Sequence, residues 1–360
     1  MSRTPTRILL WSASGVALVA WLALAWRALT GGVPADPVET AALDMAARFA
    51  HGRPPYAEAH GGVSLMPVLP LLTSWLQAFL DDGVWAPRLA SLLSTLFTAA
   101  AVASIVRNET QSHTLGITAA ALALTSQGLV TGTAAFARPE PLMLLLVVAG
   151  AHVVRWSPRW TSAVCAALVM AIACFTHPAA LAFALAVLLH LAVHDRRRAL
   201  TFGFALTALV AAGHVWSSRA LGPWYNDAAW DAGLRALRFA PTALVHFTGG
   251  ELLGTLGVFT LATVLSFALP VRPWRGAVGV WTWLAFAALV SGVLATQAGL
   301  PPAEAVRIAA PVAAIVGTVS AQRVTQHLST WPGGTRLGGH AVVLTALALQ
   351  FVTLLSGGLR

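Results

Sequence analysis

The chain is a succession of apolar runs, most of them near the length needed to cross a bilayer, broken by short polar segments that carry arginine. A helix needs about 20 apolar residues to cross a hydrocarbon core about 30 Å thick. Inside lipid every backbone polar group must be paired within the chain, and long uninterrupted runs do this as helices. Composition agrees, with 57% hydrophobic and 10% charged residues and a mean hydropathy of +0.74, where a soluble domain has about 25% charged residues. The expected fold is therefore all-α, a polytopic integral membrane protein. All 22 Lys+Arg positions are arginine, and the formal net charge is +9. These arginines stand singly or in short clusters between apolar runs, as topology-setting charges do, so no nucleic-acid partner is expected. Cys165 and Cys174 lie nine residues apart in one run. On one helix they are too far apart to bridge, so neither a disulfide framework nor a zinc site is expected.

Residues 8–29 lack a clear small-residue cleavage site and read as a first membrane helix rather than a signal peptide. Arg3 and Arg7 precede it, which places the N-terminus in the cytoplasm. Further spans are expected over about 87–106, 115–136, 142–154, up to 175, up to 195, up to 216, 252–271, up to 295 and from 308, with a last apolar run at 341–355. That is about ten or eleven spans in a single domain, 1–360, by the length needed to cross. Residues 30–86 form the first extracytoplasmic loop and 217–250 the second. The arginines at 155/159, 196–198 and 272/275 all fall inside in this topology, whereas most acidic residues fall outside.

The longest early polar interval is PADPVETAALDMAARFAHGRPPYAEAHGGVSLM, residues 34–66. It contains an amphipathic helix with Asp36 as N-cap, Pro37 at the first position, Glu39 in the first turn and Gly52 past the end. Val38, Ala42, Met45 and Phe49 recur at helical spacing, as suits a helix lying at the interface. The stretch 65–80 is apolar but short and carries Pro67 and Pro70, so it is expected as a re-entrant or interfacial helix.

Several side chains at the outer helix ends have two readings each. Asp36 and Glu39 satisfy backbone N–H groups as caps, or one of them acts as general base on an acceptor hydroxyl, its ionised form favoured by the helix dipole. Arg138 and Glu140 form a local pair, or Glu140 is a second site carboxylate and Arg138 a bidentate phosphate ligand. His177, in Thr176-His177-Pro178, is a hydrogen-bonded structural residue or a site residue. Arg307 is a snorkelling anchor or a phosphate contact. Trp224, Tyr225 and Trp230 read as interfacial aromatics, or as stacking surfaces if a sugar site lies near them. There is no Gly-rich phosphate loop, metal-spaced His/Cys cluster or nucleophile elbow.

The order of these segments resembles the GT-C superfamily of membrane glycosyltransferases, including protein O-mannosyltransferases and aminoarabinose transferases. The resemblance runs through DPVETAALDMAARFAHG, GRPPY, LMPVLPLL, RLASLLSTL, ARPEPLMLLL, FTHPAAL and VRIAAPVAAIVG. Where the family has adjacent Asp-Glu, this chain has Val38-Glu39, with Asp36 two residues earlier; Glu140 stands where Asp is usual and His177 where Lys is common. The resemblance implies an inverting transfer of a hexose or pentose from a polyprenyl-phosphate donor to a lipid, glycan or protein hydroxyl at the outer face of a bacterial inner membrane. It implies Glu39, Asp36 and Glu140 as catalytic carboxylates, and Arg138, His177, Arg307, Tyr56 and His60 as substrate-binding residues. No residues are assigned to a metal, and a divalent cation is left open as cofactor. The alternatives are a catalytically silent binder of lipid-linked sugars and a transporter of them. A transporter would place ionisable groups mid-membrane, whereas His152, His190 and His214 fall near span ends.

Overall fold

The computed structural model describes residues 4–30, 37–57, 65–80, 83–128, 137–231, 279–297 and 302–328. Among these residues the regular structure is helical. The helices are α1 (Thr4–Thr30), α2 (Pro37–Ala50), α3 (Val68–Leu80), α4 (Trp85–Thr110), α5 (His113–Gly128), α6 (Pro139–Trp156), α7 (Trp160–Cys174), α8 (Ala180–His194), α9 (Arg196–Ala220), α10 (Gly279–Gln297) and α11 (Pro302–Leu328), with a π-helical turn at Asp227–Asp231. The expected span 252–271, the run 341–355 and most of the loop 217–250 lie outside the described residues.

Stretches in α1, α4, α6 and α9 are long and apolar enough to cross a membrane, and α3, α7, α8 and α10 contain shorter apolar stretches. The outward faces are apolar too. Phe204 on α9 is 81% exposed, Val19 on α1 66% and Phe97 on α4 58%. Apolar surface this extensive is not left to water, and on helices long and apolar enough to cross a membrane it faces lipid. The protein is a multi-pass membrane protein.

One continuous core joins α4 through α11. It includes Val102, Met143, Val147, Met170, Phe183, Val187, Trp281 and Ile315. α4 lies near its centre and packs on α3, α5, α6 and α11, while α1 leans on α5 and α10 on α8. Small residues at these contacts, such as Ala163, Ala166 and Ala167 of α7, let neighbouring helices approach closely.

Two helix starts differ from the expected boundaries. The basic cluster Arg196–Arg198 is the first turn of α9 rather than a loop, because Asp195 caps it, its carboxylate accepting from the Arg198 backbone N–H at 3.1 Å. α11 begins at Pro302, so the segment Pro302–Arg307, expected as loop, is helix. Proline is preorganised for a first helical position, and Ala and Glu are good helix formers. Ser217–Ala220, placed in the second loop by sequence, is the last turn of α9. α3 has 13 residues, about 20 Å of helix, too short to span. It buries Leu69, Pro70, Thr73 and Ser74 and exposes Trp75 and Phe79.

A second core cluster fastens α2 to the end of α9. It joins Ala42, Met45, Tyr56, Leu65, Met66, Leu221 and Tyr225. Tyr56 N–H donates to Leu221 O at 3.0 Å, and Trp224 N–H donates to Tyr56 O at 3.2 Å. Gly222 makes this crossing. Its φ is +118°, and a Cβ there would stand 2.6 Å from the Tyr56 carbonyl oxygen. Gly222→Ala is therefore expected to destabilise the protein by about 1–3 kcal/mol. A detergent thermal melt of the purified protein reads this as a lowered midpoint; an unchanged midpoint contradicts it.

Candidate functional site

The polar residues sort to two ends of the bundle. At one end Arg155 Nε lies 3.1 Å from Glu109 Oε1. There Arg198 Nη2 donates to Val154 O at 2.7 Å and Ser157 O at 2.8 Å, and Gln322 donates to Thr110 O at 3.1 Å. The other end, the site end, gathers the starts of α2, α4 and α6 and the turn between α7 and α8.

The site end is built from a buried ion pair. Glu39, in the first turn of α2, and Arg88, in the first turn of α4, are 0% and 2% exposed. Arg88 Nε donates to Oε1 at 2.6 Å and Nη2 to Oε2 at 3.2 Å. This is the bidentate fork that guanidinium and carboxylate favour. Glu39 thus has a burial and a partner that its capping reading does not explain. Its apolar neighbours Ala42, Met45 and Ala46 turn the same face of α2 inward, at the spacing expected.

One turn along α4, Ser91 reaches the next element. Its hydroxyl donates to Arg138 O at 3.0 Å and accepts from Arg138 N–H at 3.2 Å. Arg138 is the extended N-cap residue of α6, with Pro139 following at the first helical position. Ser91 therefore fixes the backbone from which Glu140 projects. Glu140 sits in the first turn of α6, half-buried, and its buried Oε2 accepts no hydrogen bond among the described residues. The helix dipole favours a negative charge there.

His177 lies in the turn between α7 and α8. Its Nδ1 accepts from the Ala179 N–H at 3.2 Å, so the neutral ring carries its proton on Nε2. Burial lowers its pKa from the ordinary histidine range, and the Glu140 carboxylate, close enough to act on it, opposes that shift. The structure thus brings Glu39, Arg138, Glu140 and His177 to one end through a relay of α2, α4, α6 and the α7–α8 turn.

Other expected site residues fall differently. Asp36 and His60 lie outside the described residues. Arg307 is in the first half of α11, about 22 Å along the helix from Gln322 and so toward the site end. Tyr56, expected to bind substrate, is corrected. It is fully buried, its hydroxyl donates to Leu65 O at 2.6 Å, and its ring meets Tyr225 edge-on at 5.3 Å. Burial holds its phenol protonated, well above the usual pKa. It is a clasp between loop and helix end, its hydroxyl and ring engaged within the protein. Arg88 and Ser91 were missed as site residues, although both stand in the RLASLLSTL segment. An arginine at the start of an apolar run was the available signal. Of the three aromatics read as an interfacial belt, Trp224 is exposed and Tyr225 buried. Trp230 Nε1 donates to Tyr225 Oη at 3.2 Å. Trp230 also lines a cleft of about 680 Å³ with Leu181, Leu206, Val210, His214 and Asn226.

No protein-family profile and no curated protein sequence matches the chain. Solved structures similar to it include the following two. One is ArnT from Cupriavidus metallidurans bound to undecaprenyl phosphate, with a TM-score of 0.60 and 14% identity, covering 95% of this chain and 75% of that one. The other is the Archaeoglobus fulgidus oligosaccharyltransferase in the apo form, with a TM-score of 0.60 and 13% identity, covering 99% of this chain and 56% of that one. This chain shares the fold of these two proteins. At this identity the likeness establishes architecture, and it agrees with the segment order read from the sequence.

Two outcomes follow. Glu39→Gln leaves the buried Arg88 uncompensated and is expected to cost about 3–5 kcal/mol, while replacing both residues by methionine costs less than the sum of the single losses. Unfolding of the three variants in detergent measures the coupling; additive losses contradict it. For His177 the folded pKa lies below the unfolded value of about 6.5. The unfolded state then binds the extra proton, so stability rises with pH through the window just below 6.5 and is lost as pH falls through it. His177→Gln should flatten that slope in melts taken as a function of pH.

Proposed function

We propose that this protein is an inverting membrane glycosyltransferase that moves a sugar from a polyprenyl-phosphate donor to an acceptor hydroxyl at the extracytoplasmic face. The observation that carries this is Glu140, a carboxylate with a buried oxygen lacking a partner among the described residues, set beside His177 and Arg138 on a GT-C scaffold.

An acceptor hydroxyl hydrogen-bonded to a carboxylate is a better nucleophile, because its proton has somewhere to go. Glu140 or Asp36 takes that role. The acceptor oxygen attacks the anomeric carbon, the bond from that carbon to the phosphate oxygen breaks, and the proton passes to the carboxylate. A single displacement inverts the anomeric centre. The departing polyprenyl phosphate needs charge stabilisation rather than a proton, which Arg138, His177 and Arg307 would supply. His177 is favoured neutral by its burial and donates through Nε2–H; an arriving phosphate would draw a proton onto the ring. Glu39 serves here as a positioning residue, holding α2 on α4. His60 lies in the same loop and remains a candidate acceptor contact. The cleft lined by His214 and Trp230 suits the apolar part of a lipid substrate.

Sidedness supports the extracytoplasmic placement. Arg155, Arg159 and Arg196–Arg198 sit at the end opposite the site, and loops rich in arginine stay in the cytoplasm. A second reading, a binder of lipid-linked sugars without turnover, is favoured by Glu39, because both its oxygens already accept from Arg88.

The deciding experiment is release of polyprenyl phosphate from a polyprenyl-phosphate sugar by the protein in proteoliposomes. Glu140→Gln should lower it by roughly 10²–10⁴-fold. Full activity in both Glu140→Gln and Asp36→Asn overturns the assignment, and donor binding by the unaltered protein without release establishes the second reading.

A further inference from the structure

α2 has a second face. With the turn that follows, it lines a cleft of about 520 Å³ bounded by Asp44, Arg48, His51, Arg53, Pro54 and Ala57. The turn is rigidly built. Gly52 adopts φ +64°; its N–H donates to Phe49 O at 3.1 Å, and the Arg53 N–H donates to Arg48 O at 2.8 Å. This paired arrangement is the Schellman cap, and it folds Arg53 back beside the last turn of α2. His51 Nδ1 is held 2.7 Å from Ala47 O. Asp44 lies 3.0 Å from Arg48, and Arg53 has no carboxylate partner among the described residues. The cleft thus combines two guanidiniums and an imidazole with one carboxylate.

Topology does not account for these arginines, because they stand at the site end, opposite the cluster that follows the positive-inside bias. Depth in the membrane narrows the ligand. α3 packs on α2 and exposes Trp75 and Phe79, at 63% and 85%. Tryptophans such as Trp75 seat at the boundary of acyl chains and headgroups, which brings the adjoining α2 cleft to headgroup level. We propose that the cleft binds the phosphate of an anionic phospholipid headgroup in the leaflet at the site end. Arginine pairs bind phosphate oxygens through charge-assisted hydrogen bonds, and basic pockets on membrane proteins bind lipid headgroups in this way. The proposal does not depend on sugar transfer.

The test is native mass spectrometry of the full-length protein in detergent with dioleoyl phosphatidic acid, dioleoyl phosphatidylcholine or inorganic phosphate added. Phosphatidic acid should be retained in preference to phosphatidylcholine. Arg53→Gln should weaken its retention about fivefold, with Arg53→Lys losing less. Arg197→Gln, an exposed change at the opposite end, should leave the Arg53-dependent fraction unaltered. Displacement by inorganic phosphate identifies phosphate alone as sufficient; no displacement identifies the intact lipid as the ligand. Because Arg53 is exposed, its variants should melt with the unaltered protein. Equal retention by Arg53→Gln and the unaltered protein, or equal retention of the two lipids, overturns the proposal.

Discussion

The pairing of Glu39 with Arg88 organises the site end of this protein. Two charges this deeply buried carry a desolvation penalty that their attraction offsets only when geometry is good and both are fully engaged. Here the geometry is bidentate, and the pair joins elements 49 positions apart in sequence. Its consequence is spatial more than energetic. It sets the interfacial helix α2 against the start of α4, and Ser91, one turn on, sets the start of α6. The candidate carboxylate Glu140 inherits its position from that chain of contacts.

Membrane burial and polar chemistry divide the molecule between them. Within the bundle, small residues and aliphatic chains pack without polar work, and lipid meets Phe97, Leu200 and Phe204 on the outside. Ion pairs and side-chain caps gather at the two ends. The end with Glu109, Arg155 and Arg198 ties helix ends together. The site end holds a carboxylate oxygen with no hydrogen-bond partner among the described residues, and a histidine kept near neutrality by burial.

The α2 region joins two roles on one short helix. Its inward face carries Glu39 and the apolar residues that anchor it, and its outward face carries the basic cleft. The Tyr56 clasp to Leu221 and the αL cap at Gly52 hold the following loop in one shape. The tyrosine that looked chemically available is consumed by this structural task.

The sequence by itself determined the helical membrane fold, the amphipathic helix with Pro37 at its start and Gly52 past its end, and the gathering of the arginines at 155/159 and 196–198 at one end. These are local signals: run length, periodicity and capping depend on residues close in the chain. It also picked out Arg138, Glu140 and His177, because charged or ionisable groups at helix ends in a membrane need a reason. Tertiary structure decided what each one touches. Nothing near Glu39 in sequence announces Arg88 as its partner, and Tyr56 could not be told from a substrate contact until Leu65 and Tyr225 were beside it. Partnership and burial are set by long-range packing, so Arg138, Glu140 and His177 were legible as ionisable groups at helix ends, while Arg88, Ser91 and the division between structural and chemical roles were not.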